Sequence, residues 1–169
     1  MRWLQRQLDD RVPDGFTGVL GQDEHVLASA EADGRALVAT SLGLWVPESD
    51  GFRRISWHLI SKAGWSDGQL SIVEADETGR AGDAVLISDR RATRLVLTRP
   101  GKLPKIVRER VNSSIRSSYR KELPGGGAWF VQRKVPGLGR IVLQARADQG
   151  VDSAIVAAIA EEAAAKLRR

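Results

Sequence analysis

The chain has 169 residues, 42% of them hydrophobic and 28% charged, and it contains no cysteine. That balance describes a globular domain long enough to bury a core of its own, and the missing thiols exclude disulfides, thiolate zinc sites and cysteine nucleophiles. Charge divides along the chain. Residues 1–85 carry 8 Lys/Arg against 14 Asp/Glu (net −6) and residues 86–169 carry 18 against 7 (net +11), which recovers the overall +5. Such a division points to an anionic partner for the second half, or to two halves that face and partly neutralise each other.

In chain order, residues 2–11 suit a short helix with Trp3, Leu4, Gln7 and Leu8 on one side. Val12-Pro13-Asp14-Gly15 stops it, because the residue before a proline avoids the helical region. This opening stretch lacks the apolar core of a secretory signal, so a cytoplasmic location is expected, and no run reaches the ~18 apolar residues of a transmembrane segment. Gly15, Gly18 and Gly21 have no strand before them and no helix after them, so they read as a connector rather than a phosphate loop. Strands are expected over 25–32, 35–40, 42–47, 52–58, 61–66, 69–75, 84–88 and 93–98. Leu42, Leu44 and Val46 alternate with other residues, as do Ile55, Trp57 and Leu59, and Asp-Gly pairs punctuate the runs. Trp45, Trp57 and Trp65 read as core bulk, and 76–83 as a polar surface loop.

The period then changes. Leu103, Val107, Val111, Ile115 and Tyr119 recur at a spacing of four, one face of a helix over Leu103–Leu123, with Pro104 in its first turn and Pro124-Gly125-Gly126-Gly127 at its end. Two further β-type runs, 128–133 and 140–145, flank Pro136-Gly137-Leu138-Gly139 as a hairpin. A last helix begins near Asp152, a good N-cap, and would bury Ile155, Val156, Ile159, Ala163 and Leu167. Strands grouped before helices argue for an α+β domain or β-barrel rather than an alternating parallel sheet.

Glu24-x-Val26-Leu27-Ala28, Leu37-Val38-Ala39-Thr40, Gly43-Leu44-Trp45-Val46 and Arg54-Ile55-x-Trp57 run in an order that resembles the pleckstrin-homology-like superfamily, in particular its GRAM-type and bacterial members. The resemblance implies an α+β fold: a strongly bent antiparallel β-barrel over residues 23–123, capped by the amphipathic helix. Residues 1–22 would be a helical segment and connector. Residues 124–169, a β-hairpin and C-terminal helix, would extend the same domain. The resemblance also implies a non-enzymatic module that docks a protein partner between the capping helix and a neighbouring strand. Binding of phosphoinositides, the family's best-known activity, is not expected: the loops 31–35 and 47–51 that would hold a headgroup each carry two carboxylates, opposed only by Arg35.

Other motifs carry little chemistry. Gly64-Trp65-Ser66-Asp67-Gly68 matches G-x-S-x-G, but a strand pattern follows where a nucleophile elbow needs a helix, and His25 and His58 both precede the serine. Ser118-Tyr119-Arg120-Lys121 matches S-x-x-K without its companion motifs. Two lone histidines make a zinc site implausible, and His58 is expected on a strand, pointing away from the core. No catalytic, metal or cofactor residue is therefore assigned. The basic signal is Arg90, Arg91 and Arg94 leading, with Arg99 and Lys102, into the helix. There Lys105, Arg108, Arg116 and Arg120 would share a sector beside the apolar stripe. This stripe is the candidate surface for a nucleic acid or another anionic partner.

Overall fold

The computed structural model describes residues 12–168; the helix expected over 2–11 lies outside them. Four strands, β1 (Val26–Ala32), β2 (Arg35–Thr40), β3 (Gly43–Glu48) and β4 (Gly51–Ser56), form an antiparallel meander. A single 3-10 turn (Trp57–Leu59) leads to β5 (Ile60–Ser66), β6 (Gln69–Ala81), β7 (Ala84–Asp89) and β8 (Thr93–Thr98). Asp33-Gly34 and Asp67-Gly68 make their hairpins with both residues at positive φ (50° and 76°, 51° and 74°), the turn conformation whose twist matches that of the flanking strands. The Ser66 look-alike motif is thus a hairpin turn, as its context implied. Gly43 meets a tighter demand, because a Cβ there would fall 2.3 Å from the Ile55 carbonyl oxygen.

Helix α1 (Leu103–Ser114), strands β9 (Ile115–Leu123), β10 (Gly126–Val135) and β11 (Arg140–Ala147), and helix α2 (Ser153–Leu167) complete the chain. The strand order is β4-β3-β2-β1-β8-β6-β7-β11-β10-β9, with β5 also paired to β6. Among the described residues all ladders are antiparallel except β7–β11, which pairs Val85 with Gln144 and Leu86 with Ala145.

The closed, capped barrel is overturned. The molecule is a predominantly β, open, mixed sheet of eleven strands. Two features keep it open. The free edge of β4 makes no backbone ladder with another strand among the described residues; Arg53 instead reaches Glu74 of β6 through two hydrogen bonds of 2.5 and 3.0 Å. The sheet also runs on past β6, because residues 76–81, part of the stretch 76–83 read from sequence as a loop, continue that strand and pair with β7.

The capping helix is shorter than expected. It ends at Ser114, and Ile115–Leu123 is a strand paired along β10. A spacing of four satisfies both the helical period and the two-residue period of a strand, so Ile115 and Tyr119 fit either. Tyr119 stacks on its cross-strand neighbour Phe130, with centroids 5.2 Å apart, an arrangement that stabilises sheets.

Two main cores result. Leu37, Leu44, Trp57, Ile60 and Leu70 pack with Leu103, Val107 and Val111 of α1. Burying each of these aliphatic side chains contributes about 1.5–3 kcal/mol. Phe130, Leu143 and Ala145 pack with Val156, Ala160 and Ala164 of α2. Asp152 caps α2 by accepting from the Ala154 N–H at 2.9 Å. The buried stripe of α2 is rotated from the one expected: Ile155 and Leu167 are exposed, whereas Ala160 and Ala164, too small to signal a face, lie against the sheet. A smaller cluster places Phe16 and Leu20 of the connector on Trp45, Val26 and Val38. Among the described residues, no helix is long and apolar enough to cross a membrane.

Candidate functional site

The two cores meet at the 3-10 turn, and polar side chains from the C-terminal hairpin hold that joint. Arg133 of β10 is buried. Its Nη2 donates to the carbonyls of Trp57 and Ile60 (2.9 Å each) and to Ser114 Oγ (2.6 Å), and its Nε donates to Ser114 Oγ at 3.0 Å. Ser114, the last residue of α1, donates its own hydroxyl to the Val111 carbonyl. Gln144 of β11, also buried, donates to the His58 carbonyl at 2.7 Å. Burial, then the charge of Arg146, lowers Arg133 to about 10, so it remains a cation near neutral pH.

Beside this joint, where the short parallel pairing of β7 and β11 stops, lies a cleft of about 550 Å³. Arg80 of β6, Arg116 of β9, Arg140 of β11 and Arg168 line it, with Glu77, Asp83 and the ring of His58. Four guanidinium groups thus stand against two carboxylates. Only Arg168 is ion-paired among the described residues, to Asp83 at 2.6 Å. His58 is pushed down to about 4 by burial first, then by Arg133 and Arg140, so at neutral pH its imidazole is uncharged. The ring is half-buried on the 3-10 turn rather than pointing away from the core on a strand, and its Nδ1 lies 2.8 Å from Ser56 Oγ.

The basic residues read from sequence do not form one stripe. The expected sector of Lys105, Arg108, Arg116 and Arg120 is broken, because the chain changes from helix to strand at Ile115: only Lys105 and Arg108 remain on α1. Arg116 enters the cleft. Arg120 is tied to Glu122 at 2.8 Å and to Asp148, and lies over the Trp129 ring. Those carboxylates raise its already high pKa. Arg90 is tied to Asp76 and Glu74. Arg94 stands in a separate groove on β5, β6 and β8 with Lys62 and Trp65. Arg91 is exposed ahead of β8.

Sequence reasoning missed Arg80, Arg140, Arg168 and His58 as neighbours of Arg116. They come from four different elements, β6, β11, the C-cap of α2 and the 3-10 turn, so only the topology brings them together; the one local signal was Lys134 and Arg140 flanking the turn at 136–139.

Chemically the cleft offers donors and positive charge. The Ser56–His58 pair does not amount to a nucleophile and its base. An imidazole titrating near 4 is a weak base at neutral pH, Ser56 does not line the cleft, and among the described residues no third side chain orients the ring. Ser118 and Lys121 alternate to opposite faces of β9, which separates the S-x-x-K pair. Among the described residues, no group of three His, Asp or Glu side chains could hold a metal. Compared with family models, with curated proteins and with solved structures, the chain matches none.

Proposed function

We propose that the chain is a non-enzymatic binding module that takes a small, multiply charged anion, of the phosphate-ester kind, in the cleft between β6, β9, β11 and α2. The observation that carries this reading is the convergence of Arg80, Arg116 and Arg140, none of them ion-paired among the described residues, on one concave space. That space is of ligand-sized volume. Guanidinium groups bind phosphate oxygens through paired, charge-assisted hydrogen bonds. A neutral His58 adds a ring nitrogen without adding repulsion or a second proton equilibrium near pH 7.

Calorimetry with tripolyphosphate at low salt tests the reading. Saturable binding is expected, weakened at least about tenfold, roughly 1.4 kcal/mol, by Arg140→Glu and unchanged by the pair Lys105→Glu and Arg108→Glu on α1. Absence of saturable binding, or equal losses from the α1 reversals, overturns it. Equal losses would mean that the anion is attracted by overall charge rather than held in the cleft.

A further inference from the structure

The last strand of the sheet, β9, ends it with an unpaired edge. Its nine residues pair only with β10 among the described residues, and Arg116 through Glu122 are all exposed. Natural sheets blunt such edges with proline, short length or like charges. This edge has no proline, and its charges are of both signs.

The order of those charges is self-complementary. If a second β9 lies antiparallel to the first about a two-fold axis at Tyr119, Ser118 faces Arg120, Ser117 faces Lys121, and Arg116 faces Glu122. No like charges are opposed. Moving the axis one residue toward the N-terminus sets Arg116 against Arg120, and one residue toward the C-terminus sets Arg120 against itself. Like charges directly opposite destabilise a strand pair, so of these three registers the pattern favours the Tyr119-centred one, which also pairs the strand along most of its length.

A second feature lies on the same edge. A groove of about 480 Å³ runs between Tyr119 and Lys121 on β9 and Ile159, Ala163 and Leu167 on α2. Tyr119, Ile155 and Leu167 are among the large apolar side chains left exposed. In the Tyr119-centred register the two tyrosines meet across the axis, with the two α2 helices on the same face of the joined sheets. We infer that the chain forms a two-fold homodimer through β9, joining two eleven-stranded sheets into one. The interface is isologous and closes on itself, so it covers both β9 edges and leaves neither of them free for further growth.

Sedimentation of the full chain tests the association, with a mass of twice 18.4 kDa expected at micromolar concentration. Glu122→Arg and Arg116→Glu should each shift the protein to monomer, and the double exchange R116E/E122R should restore the dimer. Because the chain has no cysteine, introduced thiols read the register. Ser117→Cys and Lys121→Cys should each fail to cross-link alone and should form a disulfide-linked dimer when mixed under mild oxidation. A cysteine at Val96, exposed on β8, should not cross-link. A monomer at all concentrations overturns the inference, as does a dimer indifferent to both charge reversals or one that cross-links equally through Val96→Cys. Arg116 also lines the cleft, so the arms that read the interface alone are Glu122→Arg and the Ser117→Cys and Lys121→Cys mixture, whose readouts, mass and covalent linkage, do not depend on whether the cleft holds an anion.

Discussion

Glu24, ahead of β1, and Arg133, in the C-terminal hairpin, are both buried charges, with 6% and 2% of their surface exposed, yet their surroundings solve the problem differently. Glu24 accepts from the Gly21 N–H (2.9 Å), Thr40 Oγ1 (2.5 Å), Trp45 Nε1 (2.9 Å) and Arg54 Nη1 (2.7 Å). Burial raises its pKa, but the donors from Thr40, Gly21 and Trp45 and the charge of Arg54 outweigh it and hold the carboxyl below its usual range. Arg133 has no carboxylate and bonds only to neutral oxygens. Glu24 therefore orders one sheet from within, with its counter-charge beside it. Arg133 ties two separated pieces, the 3-10 turn with the start of β5 and the end of α1, to the hairpin. A buried charge can be balanced by an opposite charge or by oriented dipoles, and the second solution is the one used where two cores must be joined.

The largest expected effect lies at that joint. Arg133→Ala removes the side-chain donor to the Trp57 and Ile60 carbonyls, leaves the Trp57 carbonyl with the Ile60 N–H, and opens a void. It should destabilise the protein by about 3–5 kcal/mol in urea unfolding, as loss of one member of a buried polar set does. Arg133→Met fills most of the void and removes the buried charge, so it should recover part of that loss. A loss under about 1 kcal/mol for the alanine variant would mean that the joint is held by packing alone.

Glu24→Gln comes next, at about 2–3 kcal/mol. The amide keeps the shape of the carboxylate, but one of its ends must present N–H groups either to the Gly21 N–H and Arg54 or to Trp45 and Thr40. Stability of the variant in urea checks this, and Arg54→Met in the same background should cost less than in the native protein if the two groups act as a pair.

These contrasts explain how much was legible in advance. The meander and the β5–β6 hairpin were, because their turns, Asp33-Gly34 and Asp67-Gly68 among them, and the alternating Leu44, Val46 and Ile55 obey local rules. Trp57 was rightly placed in the core, at 2% exposure, although on a 3-10 turn rather than a strand, with its indole N–H on the Thr40 carbonyl at 2.9 Å. The end of α1 was not legible, since a repeat of four fits both periods and only the presence of β10 decides between them. Residues 77–80 read as a loop because they are polar, and they are polar because that end of β6 is solvated. Arg133 and Gln144 carried no signal at all: a polar residue in a hairpin reads as surface until a carbonyl cluster from 70 or more residues away is placed over it. The cleft was illegible for the same reason.

The smallest effect expected is also the one that separates the two regions by pH. His58 is lowered to about 4 in the folded protein, against about 6.5 in an unfolded chain. As pH falls from about 6.5 toward 4, the unfolded chain takes up a proton that the folded protein refuses, so stability declines across that window and His58 contributes no further loss below it. Glu24, whose folded pKa is lowered from 4.5, acts at more acid pH: its contribution is present above the usual carboxylate range and is lost as pH falls through the folded value. Burial lowers His58 first, and the two neighbouring guanidinium groups add to it. Arg133 and Arg140 disfavour a further cation; Arg80 and Arg116 line the same cleft, as do Glu77 and Asp83, the latter engaged by Arg168. Because the ring is only half-buried, solvent screening reduces the effect to about 1–2 kcal/mol. His58→Asn keeps a polar group that can donate to or accept from the Ser56 hydroxyl and cannot titrate. Urea unfolding of both proteins at pH 7 and pH 4.5 should show the native chain losing about 1–2 kcal/mol more than the variant. Equal losses would place the imidazole in contact with water and remove the burial at the joint from which the shift arises.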